Sequence, residues 1–105
     1  MANENKAGAI ITLDEAIAYT HSFQTRSPEA FKSFFVDIEM INLILNQEGC
    51  TGIRIYNGIE PVTNKENRVL VKVDVNGEDM SSGIIVEELS PCPQHCPKTS
   101  PLIKS

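Results

Sequence analysis

The sequence predicts an α+β fold: two N-terminal helices packed on a three-stranded antiparallel meander, with an irregular proline- and cysteine-rich C-terminal tail. Three observations carry this expectation. Apolar residues recur at steps of three and four as far as Leu45, which is the period of a helix face. From Gly52 onward the period changes to two, as in a strand with unlike faces. The strand-like runs are joined by short connections, which favours neighbouring strands that pair in sequence order. With 105 residues the chain has the size of one domain. That domain is expected over residues 1–90, residues 1–9 forming a flexible lead, with a tail over 91–105 docked on it.

The first helix is announced by Thr12, Leu13, Asp14 and Glu15. Threonine followed three residues later by glutamate is a capping box, in which each side chain satisfies the other residue's backbone N–H. Leu13, Ala16, Ile17, Thr20, Phe23 and Gln24 then share one face, with His21 at its edge. Ser27-Pro28-Glu29 reads as a second start, serine as cap and proline in the first turn. Phe31, Phe34, Phe35, Ile38, Ile41 and Leu45 form a stripe behind it, and Val36, Met40, Leu43 and Ile44 lie on the other side of the wheel. A helix apolar on both sides needs cover on both sides. Gly49 is its expected left-handed stop. A break at 33–37, with the phenylalanine pair extended, is the alternative.

The strands follow. Ile53 and Ile55 alternate with Arg54 and Tyr56, and Asn57-Gly58 is expected to bend the chain. A polar loop is expected from Pro61 to Asn67. Val69, Val71, Val73 and Val75 alternate with Leu70, Lys72 and Asp74, the clearest strand pattern in the chain. Asn76-Gly77 is a favoured hairpin turn because both residues tolerate positive φ. A third strand is expected over about 83–87. Beyond Ser90 the density of proline argues against helix and central strand alike.

Composition narrows the function classes. An apolar share of 41% with 22% charged residues belongs to a folded globule. The net charge of −5 leaves no basic stripe to displace counterions, so no nucleic-acid partner is expected. No stretch has the length of a signal segment or a membrane span, and a cytoplasmic location without a membrane partner is expected. Three cysteines is an odd number, which makes a disulfide framework unexpected and reduced thiols the default.

Chemistry could reside in three places. Cys50, Cys92, His95 and Cys96 are the residue types of a tetrahedral zinc site, although one half offers a single cysteine. The alternatives are a reversible Cys92–Cys96 disulfide, which three intervening residues permit, or thiols that only pack. Asp74, Asn76, Glu78 and Asp79 crowd oxygen atoms at the hairpin turn. An EF-hand needs glycine at its sixth position and glutamate at its twelfth, and here those are Asp79 and Ile85, so a solvated turn is the better account. Arg54 and Tyr56 share a strand face and could line a ligand pocket with a carboxylate such as Asp37 or Glu39; a plain solvent-facing pair is the alternative. His21, Asn42 and Asn46 are polar groups on or beside apolar helix faces and need partners if buried. No residue carries the signature of a catalytic nucleophile, so no catalytic residue is assigned and an enzyme is not the favoured class.

Three blocks, Asn46 to Tyr56, Val73 to Met80 and Cys92 to Pro97, resemble a family of small proteins from Bacteroidetes-type bacteria with no assigned function. The resemblance covers most of the chain from Ile11. It implies a bacterial cytosolic protein, and it makes Cys50 and the Cys-Pro-x-x-Cys-Pro block family features with a shared structural or metal role. The favoured function is a non-catalytic interaction or accessory module, partnered by a second copy or by another protein. The alternatives are a metal- or thiol-bearing protein, with zinc as the metal, and a ligand-binding protein or enzyme with a cleft.

Overall fold

A computed structural model of the chain describes residues 7–104. Residues 1–6 of the expected lead lie outside the described residues, as does the last residue of the tail. The chain separates into two units: residues 33–96 form one, and the described segments 7–32 and 97–104 form the other.

In the smaller unit, helix α1 spans Leu13–Arg26. Its capping box is complete: the Thr12 N–H donates to Glu15 Oε1 at 2.9 Å and the Glu15 N–H donates to Thr12 Oγ1 at 3.1 Å. Ser27 closes the helix, its N–H donating to the Phe23 carbonyl at 2.8 Å. That role explains why Ser27-Pro28-Glu29 begins no helix. Ser27 is already a C-cap, and its carbonyl accepts from the Ala30 N–H to form a turn instead. Along α1 the most buried side chain is polar: Gln24 is 7% exposed.

The larger unit opens with strand β1, Ser33–Phe35, so the expected single helix through Leu45 is interrupted within the 33–37 stretch. Helix α2 follows at Ile38–Leu45, after an extended Asp37. Two adjacent phenylalanines suit a pleated strand, and here the strand has a partner. β1 pairs antiparallel with β5, Ser90–Cys92, with Ser33 opposite Cys92 and Phe35 opposite Ser90. The tail is therefore not wholly irregular. Pro91 sits in a two-stranded edge ribbon, where the missing N–H is tolerated.

The three-stranded antiparallel sheet has the order β2-β3-β4, with β2 at Gly52–Glu60, β3 at Lys65–Val73 and β4 at Ile85–Val86. No bend occurs at Asn57-Gly58: these residues continue the ladder opposite Arg68 and Asn67. The reversal comes later, where Asn64 takes φ 61° and donates its N–H to the Glu60 carbonyl at 2.7 Å. Glu60 Oε1 accepts from both the backbone and the hydroxyl of Thr63, at 2.6 and 2.9 Å, which holds the Glu60 carboxyl below its ordinary pKa. The chain does turn at Asn76-Gly77, but through three residues closed by the Asp74 N–H donating to the Glu78 carbonyl at 2.9 Å, and Asn76 does not take positive φ. Gly77 has φ 80°, and Asp74 Oδ1 accepts from the N–H groups of Asn76 and Glu78 at 2.8 and 3.0 Å.

The core of this unit is Ile44 from α2, Leu70 from β3, Val86 from β4 and Leu89, with Phe34, Val36, Ile41 and Ile53 packed around them. Leu70 therefore faces α2, and the valines on either side of it point to the opposite face. Val71 is nonetheless 3% exposed, so the central strand is buried on both faces. Lys72 lies on the α2 side at 3% exposure and donates from Nζ to the Glu48 carbonyl at 2.9 Å, just beyond the C-terminal end of α2. A cation there complements the helix dipole.

Where regular pairing stops, side-chain amides replace it. Asn67 donates from Nδ2 to the Leu89 carbonyl and accepts the Leu89 N–H at Oδ1, both at 3.0 Å. Replacing Asn67 with alanine leaves both Leu89 groups without this partner, and we expect a loss of about 1–3 kcal/mol in urea unfolding. Ile44→Ala opens a cavity at the centre of the cluster and should cost about 2–5 kcal/mol in the same measurement.

Candidate functional site

Strand alternation puts Arg54 and Tyr56 on the face of β2 away from α2, and the register sets them opposite Val71 and Val69. The carboxylate that meets them is Asp79, not Asp37 or Glu39. Arg54 Nη1 donates to Asp79 Oδ1 at 2.5 Å and Nη2 donates to the Gly77 carbonyl at 3.3 Å, while the Tyr56 hydroxyl donates to Asp79 Oδ2. Asp79 reaches this position because Val73 bridges to it across the Asn76-Gly77 turn. In the sequence Asp79 is one of four oxygen-bearing residues around that turn. Only the β2–β3 register together with the Val73–Asp79 bridge selects it.

The electrostatics follow from this geometry. Hydrogen bonds from Tyr56 and then Arg54 hold the Asp79 carboxyl below its ordinary pKa. The Asp79 hydrogen bond pushes the Tyr56 phenol up, and the same carboxylate raises the Arg54 guanidinium. Both Asp79 oxygens are engaged, and the phenol is held in its protonated form. The cluster thus offers neither a free base nor an activated nucleophile. Its side chains are partly exposed, 43% for Arg54 and 27% for Asp79, so solvent screens the pair. What the cluster does is tie the hairpin tip to β2.

The cysteines are arranged differently from a ligand set. Cys92 and Cys96 are joined in a disulfide, so the reduced pair expected by default is replaced by a covalent loop. The His95 N–H donates to the Pro91 carbonyl at 2.9 Å and turns the chain back within that loop. Cys92 is fully buried at the end of β5, whereas His95 and Cys96 are exposed. Cys50 is free and half-buried, its thiol donating to the Gly52 carbonyl at 3.4 Å. Among the described residues no three His, Cys, Asp or Glu side chains come together to hold a metal.

The α1 face expected to be apolar carries the densest polar contacts of the smaller unit. The Thr20 hydroxyl and Gln24 Nε2 both donate to the Leu102 carbonyl, at 2.9 and 3.0 Å. Gln24 Oε1 accepts from the Lys104 N–H at 2.7 Å, and His21 Nε2 lies 3.0 Å from the Pro101 carbonyl, to which it donates. Three side chains thereby hold the backbone of residues 101–104 through main-chain atoms alone. Asn42 and Asn46, in contrast, are exposed and need no buried partner.

A depression of about 210 Å³ lies at the far end of the β2–β3 hairpin, between Gly58, Pro61 and Val69 and the carboxylates of Glu60 and Glu87. It is smaller than ordinary ligand pockets and includes neither Arg54 nor Tyr56. Among the described residues no helix is long and apolar enough to cross a membrane. No protein-family model matches the chain, and no curated protein or solved structure matches it either.

The Asp79 cluster has a signature on each side of neutral pH. A carboxyl with a lowered folded pKa adds stability above its ordinary range, and this is lost as pH falls through the lowered value. A phenol with a raised pKa adds stability below its ordinary range, lost as pH rises through the raised value. Asp79→Asn in a Tyr19→Phe background should lower the ultraviolet ionisation midpoint of Tyr56. An unchanged midpoint would show that Asp79 does not hold the phenol in solution.

Proposed function

We propose that this chain is a small bacterial cytosolic protein that acts as a non-catalytic interaction or accessory module, without a nucleic-acid or membrane partner. The observation that supports the reading most is the set of exposed apolar residues on α2. Ile41 and Ile44 turn to the core, yet Ile38 is 73% exposed, Leu43 46%, Leu45 49% and Met40 38%. Half of an eight-residue helix is thus apolar and exposed, on the two flanks of its buried stripe, and exposed apolar surface supports a protein-binding role. The net charge of −5 and the resemblance to small Bacteroidetes-type proteins support the remaining parts.

The disulfide favours a second reading, a thiol-bearing protein. Cytosolic disulfides are usually transient or redox-sensing. Here an external dithiol would attack the exposed Cys96 sulfur and release Cys92 as a thiolate. Its second thiol would then resolve the mixed disulfide, leaving two protein thiols and an oxidised reagent. Zinc ligation by Cys50, Cys92, His95 and Cys96 requires that reduced state, because a disulfide sulfur is no thiolate ligand. Elemental analysis of protein reduced and reconstituted with zinc decides the metal version.

For the first reading, the test is the mass of the purified full-length protein by light scattering, with capture of partners on an immobilised chain. We expect a mass above 11.6 kDa or a stoichiometric partner, with capture weakened by about tenfold or more in Ile38→Glu or Leu43→Glu. A monomer that captures nothing would overturn the reading.

A further inference from the structure

We propose that the free edge of β2 pairs with β2 of a second copy, antiparallel and about a two-fold axis at Asn57. The proposal rests on reading the chain as an interaction module, and it assigns both a partner and a surface distinct from α2. β2 is nine residues long and is hydrogen-bonded to β3 alone, which leaves it at the edge of the sheet. Exposed edges are normally blunted by shortness, proline, lysine or a bulge. The other strands follow that rule: β4 has two residues, and β5 carries Pro91. β2 contains neither proline nor lysine, and its register with β3 runs unbroken from Gly52 to Glu60.

The side chains along this edge match themselves. Ile55 and Ile59 are 63% and 66% exposed and share the α2-side face with Ile53. A two-fold axis normal to the sheet keeps each face continuous, so only registers centred on a residue are allowed. Centred on Asn57, each Ile55 lies opposite the partner's Ile59 and each Arg54 opposite the partner's Glu60. Tyr56 then faces the partner's Gly58, where the missing side chain leaves room for the ring. On the first face two isoleucine pairs flank the central Asn57 pair, and two opposite-charge pairs form on the second. An axis at Tyr56 would set Ile55 against Asn57 and Arg54 against Gly58, losing both matches. An axis at Gly58 would set Ile59 against Asn57 and Glu60 against Tyr56. The product is a six-stranded sheet in which the long edge is no longer free, and the self-matching pattern is that of an isologous interface.

Arg54 also serves the Asp79 cluster and Glu60 the Thr63 turn, so the test does not rest on them. Sedimentation of the full-length protein should give twice 11.6 kDa, and Ile55→Lys should weaken self-association about tenfold or more while Ile38→Glu leaves it in place. In a Cys50→Ser background, Asn57→Cys should form a symmetric intermolecular disulfide on mild oxidation, and Asn76→Cys at the hairpin tip should not. The cysteine variant tests the register without depending on how Ile55→Lys folds. A wild-type monomer at every concentration would overturn the proposal. So would a dimer that survives Ile55→Lys and is not cross-linked through position 57; if Ile38→Glu dissociates that dimer, the interaction reading survives and only the β2 edge fails.

Discussion

The larger unit depends on the contact between Ile44 of α2 and Leu70 of β3. Ile44 is fully buried and Leu70 is 4% exposed, and Val86 and Leu89 close the cluster around them. Burying one such side chain contributes about 1.5–3 kcal/mol, so a core of this size leaves little margin. Apart from the nine-residue β2 and β3, what is attached to it is short: an eight-residue helix, a two-residue β4 and a three-residue ribbon. Those pieces persist because their backbone groups find partners at the edge of the cluster, not because each buries much surface.

That explains the recurring use of side-chain amides. Asn67 pairs with both backbone groups of Leu89, and Gln47 Oε1 accepts the Ile84 N–H at 3.0 Å just before β4. In the other unit Gln24 grips Leu102 and Lys104 in the same manner. An amide presents a donor and an acceptor side by side, as a peptide group does, so it can stand in for a missing strand. Each clamp is local. None reveals itself as a periodic pattern, because a single polar residue carries it.

Economy in the core has a counterpart on the surface. The apolar residues that a larger domain would cover remain exposed on α2 and along β2, and two surfaces are therefore available for partners. The Arg54–Asp79–Tyr56 cluster, where charged side chains converge on a strand face, is fully internally paired and holds a hairpin. The disulfide joins a buried to an exposed sulfur within a four-residue separation, where a reagent can reach Cys96 but not Cys92.

The amino-acid sequence by itself determined the local features whose cause is local. The capping box at Thr12 and Glu15, the Asn76-Gly77 turn, the switch from helical to strand period and the alternation around Leu70 all follow from residues a few positions apart. Tertiary structure decided what depends on distant residues. Phe34 could continue a helix or enter a strand, and pairing with Pro91 settled it, since a strand forms only when a partner satisfies its backbone. The alternation along β3 left open which of its faces meets the helix, and Leu70 faces it because Ile44 approaches from that side. Asp79 was selected over Asp37 and Glu39 by strand register, which neither composition nor period encodes.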